Sequence, residues 1–293
     1  MAVPVGAHTL SVEQMGLGDH AFAHYADDEV RWGVLGVFAT LGLARNEKVV
    51  VMADPAVPHD EVVRQMFPDE RPVQALERGQ LRLTSMRELI GPHRRFTAGR
   101  QLGRLREETL RARDEGYAGL RSVIDMAWVE DLGMDIEGVM HRETHAQALF
   151  ADRSYAEICT YDRRRFSAGT VEAMRVGHPV ALLERPGDLG AFHFGHGVRM
   201  VGDADWSTRA PWSSALRTAL EGAGAGRPLL LDLTAVPFLS VTCAADLLRQ
   251  VRHADPESRV EVRCSTFHAG LLRRLGAPAV GGLRLVEGEG ALG

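Results

Sequence analysis

The sequence predicts an α/β protein built of two units. Short apolar runs such as "KVVVMAD" and "PLLLDLT" alternate with amphipathic stretches of helical length. That alternation is the pattern of βαβ units, with a parallel sheet covered by helices. It stops in the Pro/Gly-rich stretch "LERPGDLGAFHFGHG" and then restarts. The chain is also long for one compact domain at 293 residues, and its 45% hydrophobic and 25% charged content suffices for two cores.

Taken in order, residues 1–18 read as a loose N-terminal tail. Asp27 or Asp28 can cap a helix whose Val30, Val34, Val37, Phe38 and Leu41 recur at helical spacing, with Gly42 and Asn46 ending it. "KVVVMAD" is a buried strand finishing at an acid, "PHDEVVRQMF" a second helix and "LRLTS" a short strand. "TAGRQLGRLREETLRARDEGY" predicts an amphipathic helix with Leu102, Leu105 and Leu110 inward. "GLRSVIDMAW" and "YAEICTYD" are strands, "DIEGVMHRETHAQALFAD" is helical, and "TVEAMRVGHPVALL" closes the unit. The first domain is thus placed at 19–185 and a linker at 186–196. Residues 197–293 then run strand "GVRMVGDAD", helix "APWSSALRTALEGA", strand "PLLLDLT", helix "CAADLLRQVRHA", strand "RVEVRCS" and helix "HAGLLRRLGA".

Composition excludes several classes. A net charge of -5 offers no electrostatic footprint for nucleic acid. Three cysteines without CxxC spacing argue against a zinc knuckle or a disulfide framework. The N-terminal stretch has neither the basic start nor the apolar core of a signal peptide, and no run approaches a membrane span. A cytosolic protein is expected.

In the second unit, "FLSVTCAADLL" puts a hydroxyl and a thiol where a buried strand hands over to a helix. Such a turn suits a nucleophile, a phosphoacceptor or a plain helix cap. A nucleophilic Cys243 needs a base, and the turn holds no histidine. Three landmarks then carry a resemblance: "GDAD" (Gly202 to Asp205), "LLLDLTAVPFLS" with Asp232 at an acidic position, and "HAGLLRRLGA". Residues 197–290 resemble a STAS domain, the fold of anti-sigma-factor antagonists. The resemblance puts Thr242 at the position of the phosphoacceptor serine, in a partner-binding switch turn comprising Asp205, Asp232, Ser240 and Cys243. Ser240 stands where the family has an acid and Cys243 where it has a glycine. The alternative for Thr242 is that it only caps the helix.

In the first unit, "DHAFAHYADDEV", "GLARNEKVVVMAD", "GYAGLRSVIDMAW" and "ICTYDRRRF" followed by "HPVALL" form four spaced blocks. Residues 19–185 resemble the MEDS domain, a sensory domain named for methanogens, methylotrophs and a dichloromethane-responsive regulator. The resemblance implies a degenerate RecA/KaiC-like three-layer fold. A P-loop needs Gly-x-x-x-x-Gly-Lys-Ser/Thr, and "AHYADDEVRWGVLGV" lacks the glycine spacing, the lysine and the hydroxyl. Asp27 and Asp28 would moreover repel a triphosphate. ATP hydrolysis, and enzyme activity in general, are not expected. His20, Tyr25, Arg121, Trp128, Cys159 and Tyr161 lie in the family blocks and could line a pocket for a small organic or anionic ligand. Alternatively, Tyr25 and Trp128 are core aromatics and Arg121 pairs with a structural acid. The pairs His20/His24 and His141/His145 have helical i, i+4 spacing, but "HRETH" is not HExxH, and no metal or other cofactor is expected.

The expectation is a cytosolic signalling regulator of anti-anti-sigma type. It would bind an anti-sigma factor or serine kinase through its second domain and sense or dock through its first. No contact with nucleic acid or membrane is expected, and homodimerisation stays open. The alternatives are a non-switching scaffold with a degenerate surface and a cryptic nucleotide-binding enzyme.

Overall fold

Strands that are apolar on both faces must be covered on both faces, and the N-terminal unit is built that way. The computed structural model describes residues 8–69, 71–91, 93, 95–134, 139, 146–222, 227–255 and 258–288. By its contacts the chain divides into Met1–Pro186 and Gly187–Gly293.

The first unit runs β1 (His8–Leu10), β2 (His20–Tyr25), α1 (Asp28–Ala44), β3 (Lys48–Met52), α2 (His59–Met66) and α3 (Val73–Glu77). It continues with β4 (Leu81–Thr84), α4 (Met86–Ile90), α5 (Ala98–Asp114), β5 (Leu120–Asp125) and α6 (Trp128–Asp131). It closes with β6 (Tyr155–Asp162), α7 (Ala168–Gly177) and β7 (Val180–Leu182). Seven strands form one sheet in the order β1-β7-β2-β6-β5-β3-β4, and every pairing is parallel. Alternate residues feed opposite layers. Val49 and Val51 of β3 join Trp32, Leu35 and Phe38 of α1 and Val62 of α2. Val50 and Met52 join Ile90 of α4, Leu105 of α5, Trp128 of α6 and Met174 of α7. The result is three layers, helices on sheet on helices.

The second unit contains β8 (Gly190–Phe194), β9 (Gly197–Val201), α8 (Arg209–Glu221), β10 (Leu229–Ala235), α9 (Val241–His253), β11 (Val260–Cys264), α10 (Thr266–Arg274) and β12 (Leu283–Glu287). Its sheet runs β12-β11-β10-β9-β8, antiparallel only between β8 and β9. Leu229, Leu231 and Leu233 of β10 pack with Trp212 of α8, Leu247 of α9 and Leu272 of α10. The intervening Leu230, Asp232 and Thr234 are half-buried on the opposite face. This is a mixed sheet with its three helices on one side.

Several expectations change. Residues 8–18 are not a loose tail: β1 pairs with β7, and Leu10, Val12 and Met15 are buried. "HAFAHY" is a strand, so the i, i+4 spacing of His20 and His24 does not set them on a helix face. Gly42 does not end α1 but lies within it, because the aliphatic stem of Arg121 and Val49 press close: a Cβ there would meet them at 2.8 and 2.9 Å. Asn46, with φ 58°, makes the left-handed exit. Leu110 faces outward at 56% exposure, since only one stripe of α5 meets the sheet. Residues 190–194, inside the stretch read as linker, form β8. His141, His145 and most of the helix read around them lie outside the described residues.

Candidate functional site

Strands β2 and β6 are neighbours in register, Tyr25 opposite Asp162. The helix after β2, α1, packs on one face of the sheet, and the helix after β6, α7, packs on the other. Where adjacent parallel strands send the chain to opposite faces, a crevice opens at their carboxyl ends. Tyr25, Asp125 and Asp162 are the last residues of β2, β5 and β6, so they edge this crevice.

The crevice is laced with the chain's own ion pairs. Arg164 donates to Asp28 at 3.0 and 2.8 Å and to Asp162 at 2.9 to 3.1 Å. Arg31 pairs with Asp125 in a buried contact and lies 5.1 Å from the Tyr25 ring and 4.1 Å from that of Trp32. Arg165 reaches Asp54 at 2.6 Å. The hydrogen bonds from Arg164 hold the Asp28 carboxyl below its ordinary range. Burial alone would raise Asp162, but Arg164 outweighs it and the net direction is down. Burial, then Asp125, pushes the Tyr25 phenol up, so it stays protonated. At the N-terminus of α1, where a phosphate would sit, the Asp27 carboxylate already accepts from the Glu29 amide at 2.9 Å. A groove beside these groups is lined by His24, Tyr25, Arg31, Val34, Leu182 and Glu184 among others.

The other predicted pocket residues separate by strand parity. Arg121 lies in the opposite half of β5 from Asp125, fully buried. It bonds Glu47 at 2.5 Å and the carbonyls of Phe38 and Met15 at 3.3 and 3.4 Å. It is a structural ion pair beneath α1 and not a crevice residue, which is the plainer of its two readings. His20, Cys159 and Tyr161 point to the opposite face, into the layer that also holds Trp128. There the His20 ring stacks on Phe150 at 4.7 Å and lies 4.3 Å from His178. Tyr161 stacks on Phe22 at 5.2 Å, and Trp128 packs on Phe96 at 4.7 Å.

Two partners in this layer escaped sequence reasoning. Glu157 accepts from the Cys159 thiol at 3.1 Å, stands 3.4 Å from His20 Nε2, and is bonded by the Tyr155 hydroxyl. His178 meets the Met174 carbonyl through Nδ1 at 2.7 Å. The alternation of "YAEICTYD" was a usable signal for Glu157, since residues 155, 157, 159 and 161 share a face. His20, Cys159 and His178 offer ligand atoms all within 4.8 Å of one another, and among the described residues theirs is the group that could hold a metal ion.

In the second unit Ser240, not Thr242, caps α9: its hydroxyl accepts from the Cys243 amide at 3.2 Å. Thr242 is the second residue of the helix and exposed, so capping is not its role. Cys243 is buried, its thiol donates to the Asp205 carbonyl at 3.4 Å, and burial pushes it up and away from a thiolate. Asp205 is held within its own turn by Ser207 and Thr208, Ser207 first in lowering its carboxyl. Asp232 is not in the turn; it accepts from Thr234 at 2.6 Å opposite Arg199 of β9. Four apolar side chains are exposed in the segments that follow the strands: Trp206 at 80%, Phe238 at 52%, Val241 at 59% and Phe267 at 77%. All four follow β9, β10 or β11 at the carboxyl end of the sheet.

A family model described as "MEthanogen/methylotroph, DcmR Sensory domain" (MEDS) matches residues 19–179, more than half of the chain. No curated protein matches. No described helix is long and apolar enough to cross a membrane.

Proposed function

Because the chain belongs to the MEDS family over residues 19–179, we propose that it is a signalling regulator. Its first unit senses a small ligand, and its second engages a protein partner as an anti-sigma-factor antagonist does. The observation that carries the partner reading is that Trp206, Phe238, Val241 and Phe267 are all exposed at the end of the sheet that also carries Thr242. Isolated apolar residues are ordinary on a surface, whereas several at one end of a sheet mark an interaction site. The β8–β9 hairpin leading into parallel β10, β11 and β12 supports a STAS-type fold. The order β7-β2-β6-β5-β3 supports a RecA-like core in the first unit.

Phosphorylation of Thr242 would set roughly -1.5 to -2 charge at the same end of the sheet as these apolar side chains. The helix N-terminus tolerates the anion, but a partner packed on the patch would have to desolvate it. The switch therefore works by releasing the partner. The first unit acts without catalysis, since its own carboxylates occupy the place of a bound phosphate. The ligand of the crevice is a small organic molecule or anion, with Tyr25 and Arg31 among the residues that line the groove. The setting is cytosolic.

The test is incubation of the full chain with an anti-sigma-type serine kinase and ATP. One phosphate on Thr242, absent in Thr242→Ala, is expected, with binding lost in Trp206→Ala/Phe267→Ala. A phosphate mapped elsewhere, or binding indifferent to the patch, overturns the reading. The constitutive scaffold is the second reading, favoured by Ser240 and Cys243 in place of the family's acid and glycine. It predicts equal partner affinity for Thr242→Glu and Thr242→Ala.

A further inference from the structure

The geometry points to a buried transition-metal site of the zinc class, formed by His20, Cys159 and His178 with Glu157 as fourth ligand. It is independent of the crevice and of the second unit. The four side chains come from β2, β6 and the turn between α7 and β7, and all are at most 1% exposed. They form a polar group inside a layer otherwise made of Phe22, Phe150, Trp128 and aliphatic residues.

The distances around Cys159 approach those of a tetrahedral ion. With metal–nitrogen bonds of about 2.0–2.1 Å and metal–sulfur of about 2.3 Å, neighbouring ligand atoms lie roughly 3.3–3.6 Å apart. Here Cys159 Sγ is 3.9 Å from His20 Nε2, and Glu157 Oε1 is 3.4 Å from the same nitrogen and 3.1 Å from the sulfur. The ligand atoms of His20, Cys159 and His178 lie within 4.8 Å of one another, so an ion would draw His178 and the Glu157 carboxylate inward to bonding distance.

The surroundings orient the donors as metal sites require. His178 Nδ1 faces the Met174 carbonyl at 2.7 Å. A carbonyl only accepts, so Nδ1 carries the proton and Nε2 presents a lone pair. That is the usual arrangement of a metal-bound histidine with its other nitrogen held by a second group. The Tyr155 hydroxyl likewise steadies the second oxygen of Glu157. Thiolate and imidazole donors select zinc and its late-transition neighbours over magnesium or calcium. Charge also balances: one thiolate and one carboxylate offset a divalent ion. Binding releases the thiol proton to solvent, so affinity rises with pH.

The experiment uses the full chain, purified without a polyhistidine tag. About one equivalent of zinc per chain is expected by elemental analysis, in the manner of structural zinc sites. After chelation, cobalt(II) should produce a thiolate-to-cobalt charge-transfer band. The band should persist in Cys243→Ala/Cys264→Ala, where Cys159 is the remaining thiol, and vanish in Cys159→Ser. Tyr155→Phe should weaken zinc binding by about 10- to 100-fold, as loss of a supporting hydrogen bond does. A wild-type chain that takes up neither zinc nor cobalt overturns the site even if Cys159→Ser fails to fold. So does a cobalt complex lacking the band in Cys243→Ala/Cys264→Ala.

Discussion

Glu47→Ala should be among the most damaging single changes in the first unit, although it lies far from the crevice. Glu47 is the anionic partner of Arg121, and both side chains are at most 5% exposed. Removing one member of a buried pair leaves the other charge uncompensated, at about 3–5 kcal/mol. The lower end applies here, because Arg121 keeps the Phe38 and Met15 carbonyls and lies 4.4 Å from the Phe38 ring. Burial already lowers the Arg121 guanidinium from its ordinary value, with Glu47 opposing. Taking about 3 kcal/mol and 2–4 °C per kcal/mol for a unit of this size, the melting point drops by about 6–12 °C. Replacing both charges with apolar side chains, Glu47→Leu/Arg121→Met, should come within about 1 kcal/mol of the parent. Calorimetry of the full chain measures both, and hydrogen exchange on peptides from each unit assigns the transition. A loss below about 1 kcal/mol for Glu47→Ala, or a double variant as unstable as the single, would refute the reasoning.

Ser240→Ala should destabilise the second unit by about 1 kcal/mol as a lost cap, whereas Thr242→Ala should change it by less than about 0.5 kcal/mol; denaturant melts compare them. Two glycines of α1 should respond with opposite sign. Gly36→Ala drives a Cβ to 2.3 Å from the Met66 carbonyl oxygen and should cost about 1–3 kcal/mol. Gly33→Ala finds its nearest atoms at 3.9 Å and should stabilise by about 0.5–1 kcal/mol. Thermal melts of both decide this. Asp28 and Asp162 are held below their ordinary 3.8 in the folded chain. The unfolded chain therefore takes up protons first, so their stabilisation is complete above that value and is lost as pH falls below it. Arg164→Ala should flatten this acid limb in melts recorded across about pH 2 to 5.

What the sequence disclosed follows from which forces are local. β3 was legible because a strand covered on both faces reads as one apolar run, and Asp27 because capping is decided within a few residues. β2 was missed because "HAFAHY" alternates histidines with apolar residues, so a buried imidazole disguised its inward face. β1 has three residues and exists only by pairing with β7. The aromatic and thiol members of the buried site were visible in their blocks. Glu157 and His178 join them only through the register of β2 against β6 and the turn into β7, which no window of sequence contains. Arg121 invited a binding role because a charge in an apolar strand demands a partner. That partner, Glu47, lies beyond the local pattern.

The pairing of β1 with β7 has a consequence for how the first unit is assembled and delimited. The family match spans residues 19–179, while β1 ends at Leu10 and β7 begins at Val180. A fragment cut to the matched span would lose both strands of one sheet margin. It would bare the side of β2 that pairs with β7 at Ala21 and Phe22 and remove the side chains of Leu10, Val12 and Met15 from their layer. Such a fragment should self-associate through the bared margin of β2. On the ribosome the same geometry makes the margin the last part to form, since β1 must wait for β7 to emerge.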